Sequence, residues 1–233
     1  MTPPQPRWIN ALTKALSLPE NKGQNVYQIA TVENGIPRVR TQVHRDIIYP
    51  EGCPHLPILL TTTDARSPKV SQITATPRVE VAWWLQGSQD QFRIAGPVRF
   101  DRPGAGSPDD PGRGGPFLAL RRMDQQNFDW EAKRRAVFDT MSAHMRASWC
   151  RPPPGSTMSA YADAKKWPAT VPSLGEAESD EDRTNQEQAL GNFALVLIEA
   201  EEVDWVQLGV IPNQRTKFVR QEDGSWKEEI IVP

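Results

Sequence analysis

Cysteine is scarce: Cys53 and Cys150 are the only two in 233 residues. Neither stands in a Cys-x-x-Cys or zinc-ligand spacing, which argues against a redox pair or a structural zinc and points to a reducing, cytoplasmic setting. Histidine is limited to His44, His55 and His144. Their scatter offers no metal-ligand spacing and no evident nucleophile–base pair. Charge of one sign is not in excess, because 27 Lys and Arg face 29 Asp and Glu for a formal net charge of -2. That balance gives no overall basic field for nucleic acid, so any anion site must be local. Long hydrophobic runs are also missing. The longest clean one, Phe193 to Ile198, falls far short of the roughly 20 residues that cross a bilayer, and no membrane span is expected. Residues 1–18 carry charged and polar side chains where a signal peptide needs its apolar stretch, and there is no Asn-x-Ser/Thr sequon, so export is not expected. With no P-loop and no Gly-x-Gly-x-x-Gly fingerprint, any nicotinamide binding would have to be of a non-Rossmann kind.

What is present is a chain that is 38% hydrophobic and 24% charged, with 22 prolines and 15 glycines and a mean hydropathy of -0.57. Its length suits one large β-rich domain. Arg7 to Leu18 places Trp8, Ile9, Leu12, Ala15 and Leu16 at helical spacing before Pro19. Val26 to Val32 and Ile36 to Ile48 flank Asn34-Gly35, a pair suited to a hairpin turn with positive φ. Pro57 to Thr62 reads as a third strand, and Ser67-Pro68 as the cap and first turn of a helix reaching about Ala75. Two more strands, Arg78 to Leu85 and Gln91 to Phe100, flank a turn at Gln86-Gly87-Ser88. Asp101 to Pro116 is rich in Gly, Pro and Asp and is expected to be a mobile surface loop. One long helix is expected over Phe128 to Trp149, ended by Pro152-Pro153-Pro154. Arg151 to about Gly191 reads as an irregular excursion whose acidic run, Glu176 to Asp182, is solvated. Strands resume at Asn192 to Glu199, Val203 to Leu208, Thr216 to Gln221 and Trp226 to Val232. The eight or nine strands predict a barrel within a single domain spanning residues 1–233, with loop-rich insertions at 101–116 and 151–191.

Two early stretches concentrate polar chemistry. One is Arg40-Thr-Gln-Val-His-Arg45 on a strand; the other is Thr61-Thr-Thr-Asp-Ala-Arg-Ser-Pro-Lys69 across a strand-to-helix junction. At the second, the Ser67 hydroxyl, the unpaired N–H groups of a helix start, and the charges of Arg66 and Lys69 suit a bound phosphate. A plain Ser-Pro helix cap with solvated cations is the competing reading of the same residues. Arg40 and Arg45 are five residues apart, so a flat strand would turn them to opposite faces. Trp83 and Trp84 are adjacent and can contribute at most one ring to any pocket; a barrel-core role suits the other.

The order of Tyr27-Gln-Ile-Ala-Thr-Val32, Pro37-Arg-Val-Arg-Thr41, Thr63-Asp-Ala-Arg-Ser-Pro-Lys69, Trp83-Trp84, Gln91-Phe-Arg-Ile-Ala-Gly96 and Asn192-Phe193 resembles the pyridoxamine 5′-phosphate oxidase family, especially its FMN-binding domains of the Alr4036 type. The resemblance implies a mainly β fold with flanking helices, the FMN-binding split β-barrel. It also implies an FMN phosphate held by Arg40, Arg45, Ser67 and Lys69, with Thr41 and Thr63 as further backbone and hydroxyl candidates. Gln91 matches a family glutamine near the polar edge of the flavin, and Arg93 lies on the same strand face. Family proteins complete each flavin site from the second subunit of a homodimer, which makes Arg215 and Lys217 the local candidates. The vitamin-binding Arg-x-His element of the true oxidases is replaced by Asn213-Gln-Arg-Thr-Lys217, which has no His and speaks against vitamin B6 oxidation. The function implied is an FMN-dependent oxidoreductase of unknown small-molecule substrate, with no dedicated protein nucleophile. The alternative is a non-catalytic flavin carrier, sensor or interaction protein; a related cofactor such as haem or a deazaflavin is a lower-ranked third.

Overall fold

The computed structural model describes residues 2–102 and 116–233, so the loop expected at 101–116 lies almost wholly outside the described residues. Helix α1, Arg7–Ser17, buries Trp8, Ile9, Leu12 and Ala15. Strands β1 (Val26–Glu33) and β2 (Ile36–Val43) pair antiparallel around Asn34-Gly35. Both turn residues have positive φ, 51° and 78°, as the tight turn requires. The expected strand to Ile48 is divided: β2 stops at Val43 and β3 (Asp46–Ile48) begins a separate pairing with β4 (Ile58–Asp64). The reason is a crossing of the chain at this point, where the His44 N–H donates to Asn25 O and the Arg45 N–H to Leu60 O. Helix α2 (Pro68–Ala75), β5 (Arg78–Leu85) and the long β6 (Asp90–Asp101) follow as expected.

The helical middle differs from expectation. A further helix, α3 (Ala119–Gln125), comes first, and in place of one helix over 128–149 there are α4 (Trp130–Asp139), α5 (Ala143–Ala147) and a 3-10 turn at Ser148–Cys150. Ser142 restarts the helix by accepting from the Met145 N–H at 3.2 Å, a side-chain cap that replaces the missing backbone bonds. The acidic run also proves to open a helix, α6 (Asp180–Asn192), with a Ser179–Asp182 capping box. Its carboxylates suit the positive end of the helix dipole. β7 (Phe193–Glu199), β8 (Glu202–Gln207), β9 (Gln214–Arg220) and β10 (Trp226–Ile230) complete ten strands among the described residues.

Strand β6 belongs to two sheets. Its first half, 90–95, pairs with β8, and its second half, 98–101, pairs with β7. The order β10-β9-β8-β6-β5-β1-β2 is joined through β6 to β7, β4 and β3. Near the join of β2 and β4, the Gln42 side chain donates to Thr62 O at 2.9 Å and the Thr61 hydroxyl to Val43 O at 2.6 Å. Two cores result. One packs Trp8, Tyr27, Trp83, Phe92 and Phe218 inside the barrel; the other packs Phe138, Trp149 and Phe193 under the helices. β4 and β7 run between them, with Leu59 and Ile198 facing the first core and Leu60 and Leu197 the second. Burial on both faces accounts for their unbroken apolar sequence.

Candidate functional site

Strand β4 ends where α2 begins, and that junction gathers three sequence candidates. The Lys69 ammonium donates to the Thr63 hydroxyl at 2.7 Å and reaches the Ser67 hydroxyl at 3.3 Å, while Thr63 and Ser67 lie 3.2 Å apart. Ser67 occupies the cap position of α2 yet makes no side-chain cap bond. Its hydroxyl is turned toward Thr63 and Lys69, which departs from the plain-cap reading. Burial, reinforced by the neighbouring Arg40 charge, lowers the Lys69 pKa to about 8. A cation held this far from water gains much from an incoming anion.

Arg40 stands beside this group. Its guanidinium donates to Thr31 Oγ1 at 2.6 Å and to Gln72 Oε1 of α2 at 2.7 Å. Gln72 in turn donates to Glu33 at 3.2 Å, so hydrogen bonds fix Arg40 against the helix. Burial first, and then Arg38, lowers its pKa. Thr63, Ser67 and Lys69 line a cavity of about 430 Å³ whose opposite wall includes Trp149, Pro152–Pro154, Met158 and Trp167. One end therefore offers hydroxyls and a positive charge, the other rings and proline.

The remaining candidates separate from this cluster. Arg66 grips Asp64 through two bonds, at 3.0 and 2.7 Å, and donates to the carbonyls of Trp149 and Arg151 at 3.3 and 2.9 Å. Its charge is paired with a carboxylate. Arg45 forms no ion pair among the described residues, and its buried Nε has no hydrogen-bond partner there. It does not line the cavity.

A register row crosses six strands as Thr41, Gln28, Ala82, Arg93, Asp204 and Lys217. The adjacent row runs Trp84, Gln91, Val206, Arg215. Thr41, Gln91, Arg93, Arg215 and Lys217 thus share the outward face of the sheet, opposite to Trp83, which is in the core. The first row is about 24 Å wide at the usual strand spacing, too wide for its members to converge on one phosphate. Asp204 binds both Arg93 and Arg215, the latter at 2.7 Å, and Lys217 pairs with Glu202 at 3.0 Å. Arg93 keeps a buried Nε without a partner. None of these five lines the cavity. The cavity wall is not among the sequence candidates: Pro152-Pro153-Pro154 reads there as a helix stop, whereas in the fold it lines the cavity with Trp149 and Trp167.

Residues 5–101, which carry the cradle from Arg40 to Lys69 together with Gln91 and Arg93, match the family model described as pyridoxamine 5′-phosphate oxidase, FMN-binding domain. Over that segment the chain is similar to the FMN-binding domain of that family. A curated relative, pyridoxine/pyridoxamine 5′-phosphate oxidase 2 of Arabidopsis thaliana, is 26% identical over 97% of this chain and 96% of its own. A solved pyridoxamine 5′-phosphate oxidase-related, FMN-binding protein from Nostoc punctiforme is 25% identical, with TM-score 0.72 and coverage of 99% of this chain and 100% of that one. PhzG from Burkholderia lata, solved with tetrahydrophenazine-1-carboxylic acid, shares the fold at 13% identity and TM-score 0.58, covering 97% of this chain and 91% of its own. The chain is mainly antiparallel β with flanking helices, the architecture of the split barrel. The cradle fits that family's cofactor: a hydroxyl released from capping, a half-buried ammonium and a helix start meet at one cavity. No helix among the described residues is long and apolar enough to cross a membrane, and no group of three or more His, Cys, Asp or Glu there could hold a metal ion.

Proposed function

We propose that this chain is an FMN-dependent oxidoreductase acting on a small molecule, with the FMN phosphate seated on Thr63, Ser67 and Lys69 and with Arg40 adding charge beside them. The carrying observation is the Ser67 hydroxyl, which forgoes its cap bond and joins a half-buried lysine at the start of α2. There the Ser67 hydroxyl and the Lys69 ammonium bind the phosphate, Thr63 orients it, and Trp149 with the proline wall excludes water. Bound FMN supplies hydride or electron acceptance, a chemistry that needs no protein nucleophile. Pyridoxamine 5′-phosphate oxidation itself is disfavoured, since Arg215 is engaged by Asp204, Lys217 by Glu202, and no histidine accompanies them.

The cradle and the outward sheet face are distinct surfaces of one chain, which supports a homodimer in which Gln91 and Arg93 of a second copy approach the flavin. Val39 and Trp84, 64% and 36% exposed, are apolar side chains on that face for a second copy to cover. Sedimentation is expected to give a particle of twice 26.2 kDa; a monomer that retains FMN tightly would contradict the shared site.

The purified chain is expected to hold FMN through gel filtration with a flavin absorbance spectrum. Lys69→Ala should weaken that affinity by about 1.5–3 kcal/mol, roughly ten- to a hundredfold, by removing a charge-assisted bond. Binding favours the charged lysine, so wild-type affinity should fall as pH rises through about 8, and Lys69→Ala should lose that part of the pH dependence. Wild-type affinity in the variant would reject the cradle. Flavin that binds but is never reduced by common donors would favour a carrier over an enzyme.

A further inference from the structure

Trp149 and residues 151–154 line the same cavity as Thr63, Ser67 and Lys69, and among the described residues the side-chain hydrogen bonds between the 149–154 run and distant elements fall on its first three residues. The Trp149 carbonyl accepts from the Arg66 guanidinium at 3.3 Å and from the Asn192 side chain at 2.8 Å. The Cys150 carbonyl accepts from Gln188 at 3.2 Å, and its thiol meets Asn185 O at 3.2 Å. The Arg151 carbonyl accepts from Arg66 at 2.9 Å. Three prolines follow at once, with no N–H to donate, and the backbone bond made at the prolines is a local one, the Ser156 N–H donating to Pro153 O at 3.1 Å. The run's side-chain links to distant parts of the fold pass through residues 149–151.

On the α6 side that anchoring comes from Asn185, Gln188 and Asn192. On the cradle side it comes from one side chain. Arg66 lies in the turn between Thr63 and Ser67, and Asp64 fixes it there by accepting from its Nε, its Nη2 and its backbone N–H, the last at 2.8 Å. The Asp64 side chain is 9% exposed and that of Arg66 27%. The planar fork can hold a carboxylate on one edge while its Nη2 reaches carbonyls beyond, a geometry an ammonium does not reproduce.

We propose that Arg66 is a positioning residue which staples the Trp149–Pro154 wall to the cradle floor, and so sets how tightly the cavity holds the body of an organic phosphate rather than the phosphate itself. The inference rests on the reading of Thr63, Ser67 and Lys69 as the phosphate seat. It predicts a split between ligands. In Arg66→Lys, which keeps the charge and loses the fork, FMN affinity should fall about tenfold, while inorganic phosphate, measured by its competition with FMN, should bind as in the wild type. Asp64→Asn, which loosens the staple and leaves the cation in place, should show the same split. In both variants without ligand, amide hydrogen exchange of residues 149–151 and 155–158 should accelerate, while exchange in β4 and β7 stays unchanged.

Equal losses for FMN and phosphate in Arg66→Lys, with Asp64→Asn gaining affinity, would make Arg66 a direct phosphate ligand and overturn the proposal. Unaltered exchange over 149–158 would overturn it too. That second measurement needs no flavin, so a wild-type chain that fails to bind FMN would reject the proposed function while leaving the staple to be judged by exchange alone.

Discussion

Arg220→Met is expected to lower the unfolding free energy by about 3–5 kcal/mol, the usual consequence of stranding one member of a buried ion pair. Glu199, at the end of β7, is 0% exposed, and its partner Arg220 on β9 is 6% exposed. The Glu199 carboxylate also accepts from the Leu118 N–H at 2.7 Å and the Leu120 N–H at 3.1 Å. It therefore links the start of α3 to two strands that are far apart in sequence. Removing the cation leaves a carboxylate with two amide donors and no countercharge in a site without water access. Urea denaturation should show a lower midpoint with an unchanged slope. A loss below about 1 kcal/mol would mean that the two amides alone support Glu199, contrary to the cost expected for an unpaired buried charge.

Gly96→Ala is expected to cost about 3 kcal/mol or more, at the upper end of overpacking effects. Gly96 sits where β6 leaves β8 for β7, and the β7–β8 connection crosses it at backbone contact. An added Cβ would overlap the Glu199 carbonyl oxygen and lie 3.2 Å from Glu201 N. The Glu201 N–H donates to Ala95 O at 2.9 Å, so the crossing backbone cannot retreat without losing a ladder bond. Both sheets pass through this residue, and the damage should appear as loss of the whole cooperative transition. Thermal unfolding measures it; a melting temperature within about 2 °C of wild type would show that the crossing can relax.

Much of the barrel was legible because its signals are local. Asn34-Gly35, the Ser67-Pro68 helix start and the alternation in β5 and β6 each act within a few residues. The errors fall where distant groups decide. α3 is held at its start by Glu199, some eighty residues away, and no local pattern announces such a cap. α6 was missed for the opposite reason: its Ser179–Asp182 capping box is in plain view, but only Gln186 and Ala189 are buried, so hydrophobic periodicity is silent. The split of the expected long helix shows the same limit, because its two parts keep one apolar register while Ser142 interrupts the backbone.

The site was legible to a similar degree. Thr63, Ser67 and Lys69 are neighbours in sequence and in space, and Arg40 joins them because β1 and α2 hold it with Thr31 and Gln72. The fate of Arg66, Arg215 and Lys217 depended on which carboxylate lay within reach. Residue type identified them as cations and could not reveal that Asp64, Asp204 and Glu202 would take them. The proline wall lies about eighty residues beyond the cradle, and only the fold brings the two together.

The same wall bears on the entropy of binding. Each proline ring confines φ to a narrow range before any ligand arrives, and proline side chains have almost no rotamer freedom to lose. A ligand pressed against Pro152–Pro154 meets a surface already ordered at synthesis, so this half of the cavity gives up little disorder on association. Met158, 42% exposed on the same wall, is a side chain that still has rotamer freedom to lose there.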